Sequence, residues 1–129
     1  MSSATVQLLQ VLKQQLLRFF DELIALLPEE KDLLVMRFML KDQIPITEVM
    51  QYILDNIMPL EPQITSRDES FFLEHRVLFE DLKSHHSKVN HFKEIWQHST
   101  DPENKEALWN WFNCFVNIGK KYQTLRRME

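Results

Sequence analysis

The stretch LLQVLKQQLLRFFDELIALLPEE, residues 8–30, decides the fold class of this chain. Its apolar residues recur in alternating steps of three and four, which is the period of one face of an α-helix. They are Leu9, Leu12, Leu16, Phe19, Leu23 and Leu26. A second apolar row lies beside the first, so the face is wider than a coiled-coil seam and suits the middle of a bundle. Pro28 ends the predicted helix.

The same period predicts further helices along the chain. With the first, they cover about 5–27, 29–40, 47–58, 66–84, 88–98 and 100–126. The start of the last predicted helix has two open interpretations. Either Thr100 and Glu103 form a capping box, or Asp101 caps a helix that begins with Pro102. Pro59 and Pro62 predict an extended connector over about residues 59–65.

The fold class expected from these patterns is all-α. We expect a compact bundle of five to six helices, with long first and last helices and no sheet, in one domain that spans residues 1–129. A single glycine, Gly119, disfavours tight hairpins, phosphate-binding loops and dinucleotide fingerprints, because all of these depend on glycine. The sequence therefore predicts no cofactor and no evident small-molecule substrate.

Charge and cysteine content limit the environment of the chain. The formal net charge is −4, which gives no overall attraction to nucleic acid or to an anionic membrane. One cysteine, Cys114, predicts a reducing compartment rather than an oxidised secreted scaffold. The N-terminal segment lacks a basic region typical of a signal peptide, and charged residues from Lys13 onward interrupt the apolar run. We expect an intracellular protein without a membrane span, not a secreted one.

Four parts of the sequence share a recognisable order of residues: LLRFFDEL (16–23) with LPEE (27–30), DESFF (68–72), VNHFKEIW (89–96) and LWNW (108–111). Together they resemble small helical proteins encoded by nucleocytoplasmic large DNA viruses. These segments hold helix caps and aromatic anchors rather than catalytic signatures. The resemblance implies a viral protein made inside an infected host cell, in the cytoplasm or virus factory. The specific role that we expect from it is that of a minor virion or capsid-associated component. It supplies no site residues.

Candidate catalytic and metal-binding groups are sparse. The five histidines fall within 24 residues, His75, His85, His86, His91 and His98, but without the spacing of a metal-binding motif. Cys114 lies between Phe112 and Phe115 on a predicted helix, which favours a small buried residue over a nucleophile. Adjacent carboxylates on a helix point apart, so three acidic pairs indicate solvated faces or helix starts rather than acid–base pairs: Asp21-Glu22, Glu29-Glu30 and Glu80-Asp81. The chain is therefore predicted not to be an enzyme.

Two leading hypotheses remain for function, and a metal-dependent enzyme or a thiol enzyme that uses Cys114 is the third. Core packing is the default interpretation of the aromatic residues, but Trp109 and Phe112 form a secondary row on the last helix that predicts an anchor for a protein partner or for self-association. The alternative is a nucleic-acid-associated factor that uses the basic end of the same helix, Lys120, Lys121, Arg126 and Arg127. Basic residues in a last turn also complement the helix dipole, which is their structural interpretation.

Overall fold

A computed structural model describes residues 1–68 and 102–129. Helix accounts for 88% of the structure, and the described ranges contain no strand, which confirms the all-α class. The α-helices are α1 (Ser3–Leu26), α2 (Lys31–Asp42), α3 (Ile46–Tyr52), α4 (Glu61–Ser66) and α5 (Pro102–Met128). The first and last are the longest, as predicted. In the ranges described, no helix is long and apolar enough to cross a membrane.

Residues 46–66 form one continuous helical run. A π-helical turn (Ile53–Ile57) and a 3-10 turn (Met58–Leu60) join α3 to α4 without a break. Counted this way, the described residues hold four helical segments, where five to six were predicted for the whole chain. The helices predicted over about 66–84 and 88–98 lie, apart from residues 66–68, outside the described residues.

The extended connector predicted over 59–65 is wrong. Pro59 is the second residue of the 3-10 turn, and Pro62 is the second residue of α4. A proline in the first turn of a helix removes an N–H that has no partner within the helix, so both prolines are tolerated there. The π-helical turn just before them, in which the Met58 N–H donates to the Ile53 carbonyl, marks the change of helical pitch.

α1 is the helix that α2, α3 and α5 all contact. It runs antiparallel to α5, because Ser2 meets Glu129 at one end while Glu22 accepts a hydrogen bond from the Trp111 indole towards the other. Phe19 lies at the centre of this packing. Its ring centroid is 5.4 Å from that of Phe115, and the rings of Phe20, Trp111 and Phe112 are within 6.1 Å. These are the spacings at which aromatic rings attract one another.

The N-terminus of α1 and the C-terminus of α5 are tied by one carboxylate. Glu129 accepts hydrogen bonds from the Ser2 backbone N–H and from the Thr5 hydroxyl, the latter at 2.9 Å. Thr5 is fully buried, and Ser2 caps α1 by accepting from the Thr5 N–H at 3.2 Å. An anion at a helix N-terminus is stabilised by the unpaired N–H groups and the helix dipole. The backbone hydrogen bond from Ser2 is the main reason that the pKa of Glu129 falls from 4.5 to about 2.

α5 packs closely against the 46–66 run at Gly119, the single glycine of the chain. Gly119 is buried, and a Cβ built on it would lie 2.9 Å from Sδ of Met58 and 3.5 Å from Cγ2 of Ile53. The glycine is used here for close packing of two helices rather than for a turn.

We expect Gly119→Leu to destabilise the protein by about 1–3 kcal/mol in urea unfolding, because the added side chain overpacks this contact. Met58→Ala opens space at the same point, so the cost of Gly119→Leu is smaller in that background. Gly119→Ala is the control and is near neutral, since a gain in helix propensity of about 1 kcal/mol offsets a small shift of the flexible Met58 side chain. An equal cost of Gly119→Leu with and without Met58→Ala would contradict this packing.

We expect Glu129→Gln to lower the melting temperature at neutral pH. Because folding lowers the pKa of Glu129, its stabilisation is present above pH 4.5 and disappears as pH falls through about 2. The difference in melting temperature between wild type and variant therefore shrinks over that window. Glu29→Gln, at an exposed carboxylate in the turn after α1, is the control. A difference that stays constant from pH 7 to about pH 2 argues against the tie.

Candidate protein-binding site

α2 has apolar residues on every side, but none of them is buried. Of its 12 residues, KDLLVMRFMLKD, seven are apolar, yet none is buried. A helix that is apolar all round is normally enclosed by other structure. Among the described helices, α2 is instead contacted chiefly by α1.

The inner side of α2 is fixed to α1 by apolar contacts and one ion pair. Leu33, Met36 and Leu40 are partly buried against the core. The Arg37 Nε lies 2.7 Å from Oδ1 of Asp21, and a second guanidinium nitrogen lies 3.4 Å from Oδ2. This two-pronged contact sets the rotation of α2 about its own axis. The remaining apolar residues therefore point away from α1.

We call those residues, with the charges that flank them, the outer face of α2. Its apolar members are Leu34 (57% exposed), Val35 (57%), Phe38 (56%) and Met39 (41%). Exposed Lys31 and Asp42 lie on the same side at the two ends, at helical spacing from the apolar residues. Four large apolar side chains exposed next to one another are typical of an interaction surface rather than of scattered surface residues.

The predicted partner anchors lie elsewhere. Trp109 is 4% exposed and belongs to the core, in keeping with the default interpretation of the aromatic residues. Phe112 is partly buried, and its ring lies 6.3 Å from that of Trp109 and 6.1 Å from that of Phe19. Their role in partner binding stays a prediction, and neither residue is part of the outer face of α2.

Two of the four C-terminal cations pair with carboxylates of the same chain. Lys120 pairs with Glu61 of α4, and Arg126 Nη1 lies 2.8 Å from Oε2 of Glu129. Lys121 is exposed and, with Lys120, lines an open groove of about 480 Å³ between the start of α1 and the end of α5. Arg127 is exposed. With two of the four cations facing carboxylates, this surface is less positive than the sequence suggests, and nucleic-acid binding stays a prediction.

Another ion pair joins the C-terminal end of α4 to the N-terminal part of α5. Arg67 has a left-handed backbone conformation (φ 56°) and ends α4, and its guanidinium makes a bidentate pair with Glu106 in which Nε lies 2.8 Å from Oε2. The hydrogen bond to Arg67 lowers the pKa of Glu106. Because both groups are exposed, the pair mainly positions the end of α4 beside α5.

The described residues offer no metal centre. No group of three or more His, Cys, Asp or Glu side chains in residues 1–68 and 102–129 is arranged to hold an ion, and the five histidines lie outside the described residues. Cys114 is partly buried, and burial raises the pKa of its thiol above the ordinary 9.0, although nearby Lys121 opposes this in part. A raised thiol pKa is the reverse of what a nucleophilic cysteine requires.

The outer face of α2 was missed at the sequence level, although a signal for it exists. Residues 33–36 are four consecutive apolar residues and 38–40 are three more, so they occupy every side of a helix only three turns long. Such a pattern is typical either of a fully enclosed helix or of one with a second binding face. The position of α1 in the structure, on one side of α2, distinguishes an enclosed helix from one with a second binding face.

Comparison with known proteins found no match for this chain among protein-family models, curated proteins or solved structures.

We expect Cys114 to react slowly with iodoacetamide, with a midpoint in the pH profile above 9.0. Unfolding in urea removes the burial, so the midpoint should move back towards the ordinary value, which serves as the control. Lys121→Met should raise the midpoint further, because it removes the nearby positive charge. A midpoint below the unfolded value would contradict this environment and would revive the hypothesis of a thiol enzyme.

Proposed function

We propose that this chain is a non-catalytic interaction protein that binds an apolar protein surface through the outer face of α2. The observation that supports the proposal is that Leu34, Val35 and Phe38 are each more than half exposed. The hydrogen bond from Arg37 to Asp21 holds their helix against α1. Burying these side chains on binding is worth roughly 25 cal/mol for each Å² of apolar surface. Leaving them in water forgoes that free energy.

The arrangement suits binding better than catalysis. Within residues 1–68 and 102–129 the outer face joins no titratable cluster, because its charged members are Lys31 and Asp42 at opposite ends of the helix. A rigid helix with an apolar centre and charged ends is a common shape for a surface that docks on another protein. The proposal therefore assigns recognition, and not chemistry, to α2.

The proposal includes a setting in a large DNA virus. Its support is the resemblance of residues 16–23 and 108–111, among other segments, to small helical proteins of such viruses. On that basis the chain acts inside the infected cell, and a minor virion or capsid-associated component is the specific form of the proposal. The compact bundle anticipated from the helix pattern gives α2 a stable platform.

The test is site-specific photo-crosslinking in the cells that make the chain. With benzoylphenylalanine at position 38, we expect a discrete protein adduct, identified by mass spectrometry, that disappears when Leu34→Asp is added. The same probe at position 6 of α1, where Val6 is 43% exposed, is the matched control and gives no such adduct. An adduct to a second copy of this chain or to another protein supports the proposal. No protein adduct at position 38, or an equal yield at position 6, would refute it.

A further inference from the structure

We infer that the partner of the outer face of α2 is a second copy of this chain, bound with the two α2 helices antiparallel. This inference rests on the proposed function, because it names the occupant of the same surface. It is carried by the order of the residues along that face, which makes the face complementary to itself.

A two-fold interface between identical chains requires that residue i of one copy meet residue j of the other, and the reverse. In an antiparallel pair of identical helices, residues at equal distances from the helix midpoint face each other. The midpoint of α2 (Lys31–Asp42) lies between Met36 and Arg37. About that point, Leu34 mirrors Met39 and Val35 mirrors Phe38. Each smaller or branched aliphatic side chain therefore meets a longer or aromatic one, which favours interdigitation.

The charges at the two ends of the face obey the same symmetry. Lys31 and Asp42 are both exposed and lie at equal distances from the midpoint. Antiparallel pairing therefore places Lys31 of each copy beside Asp42 of the other, twice in every dimer. Parallel pairing would instead place lysine beside lysine and aspartate beside aspartate, so the charges select the antiparallel arrangement.

These two charges are also poorly placed within a single chain. A cation is unfavourable at the positive N-terminal end of a helix, where Lys31 lies, and an anion is unfavourable at the C-terminal end, where Asp42 lies. The neighbouring Asp32 and Lys41 have the favourable order. In the antiparallel dimer each unfavourable charge gains an opposite charge and an opposed helix dipole. The dimer therefore explains an arrangement that the isolated chain does not.

The expected interface is small. α2 is about 18 Å long, and its outer face holds four apolar side chains, so association should depend on concentration rather than be permanent. Sedimentation velocity of the whole chain from about 1 µM to about 1 mM should show a shift from the 15.6 kDa chain to twice that mass.

Matched variants test whether α2 forms the interface. Val35→Asp should abolish the dimer, whereas Val6→Asp, the same change at an exposed valine of α1, should leave it intact. Circular dichroism shows whether each variant keeps its helix content. Because Val35 is exposed, we expect the Val35→Asp monomer to remain folded.

A charge exchange tests the orientation. Lys31→Asp makes both ends of the face acidic and Asp42→Lys makes both ends basic, so each variant alone should dimerise at least about tenfold more weakly at low salt. An equimolar mixture of the two restores opposite charges at both ends and should recover the wild-type affinity. Arg127→Asp and Glu103→Lys make the same net charge changes on exposed residues of α5 and are the controls.

The outcomes separate this inference from the proposed function. A chain that stays monomeric at about 1 mM, or a dimer that ignores Val35→Asp, overturns the inference. If either single charge variant dimerises as tightly as the wild type at low salt, or if the mixture fails to recover the wild-type affinity, the antiparallel pairing is overturned. If the position 38 probe then captures a different protein, the proposed function stands while the inference fails. If it captures none, both fail.

Discussion

The architecture depends on the division of α1 among three neighbours. Its buried stripe, which includes Leu12 and Phe20, packs into the core with α5 and the 46–66 run, and Phe19 is surrounded by aromatic rings of α5. Among the described helices, α2 packs mainly against the remaining side of α1. A 12-residue helix gains little stability in isolation, so contacts such as the Arg37–Asp21 pair define its orientation. Because α1 covers only one side, the other side of α2 remains apolar and exposed.

The charged residues serve different purposes in the two halves of the described structure. Around α5, pairs such as Glu106 with Arg67 and Glu61 with Lys120 link elements that are distant in sequence. On α2, Lys31 and Asp42 lie where the helix dipole disfavours each of them. Charges that oppose local preference are expected where another surface compensates for them. The charges around α5 therefore stabilise the chain itself, whereas we propose that Lys31 and Asp42 of α2 serve recognition.

The sequence predicted the all-α class and the long terminal helices because the helical period is strong in both. It failed at Pro59 and Pro62, since two close prolines are compatible either with an extended chain or with successive first turns of helices. It also directed attention to Trp109, which tertiary packing buries. Which apolar face a short helix such as α2 leaves exposed depends on its neighbours, and periodicity carries no information about them.

Isotope-filtered NMR on a mixture of labelled and unlabelled chains tests the central claim most directly. An antiparallel α2 dimer predicts contacts between copies that join the Val35 methyl groups to the Phe38 ring and the Leu34 methyl groups to the Met39 methyl group. Contacts between copies that involve Val6 or Val11 of α1 instead, or no such contacts at the highest soluble concentration, would contradict it.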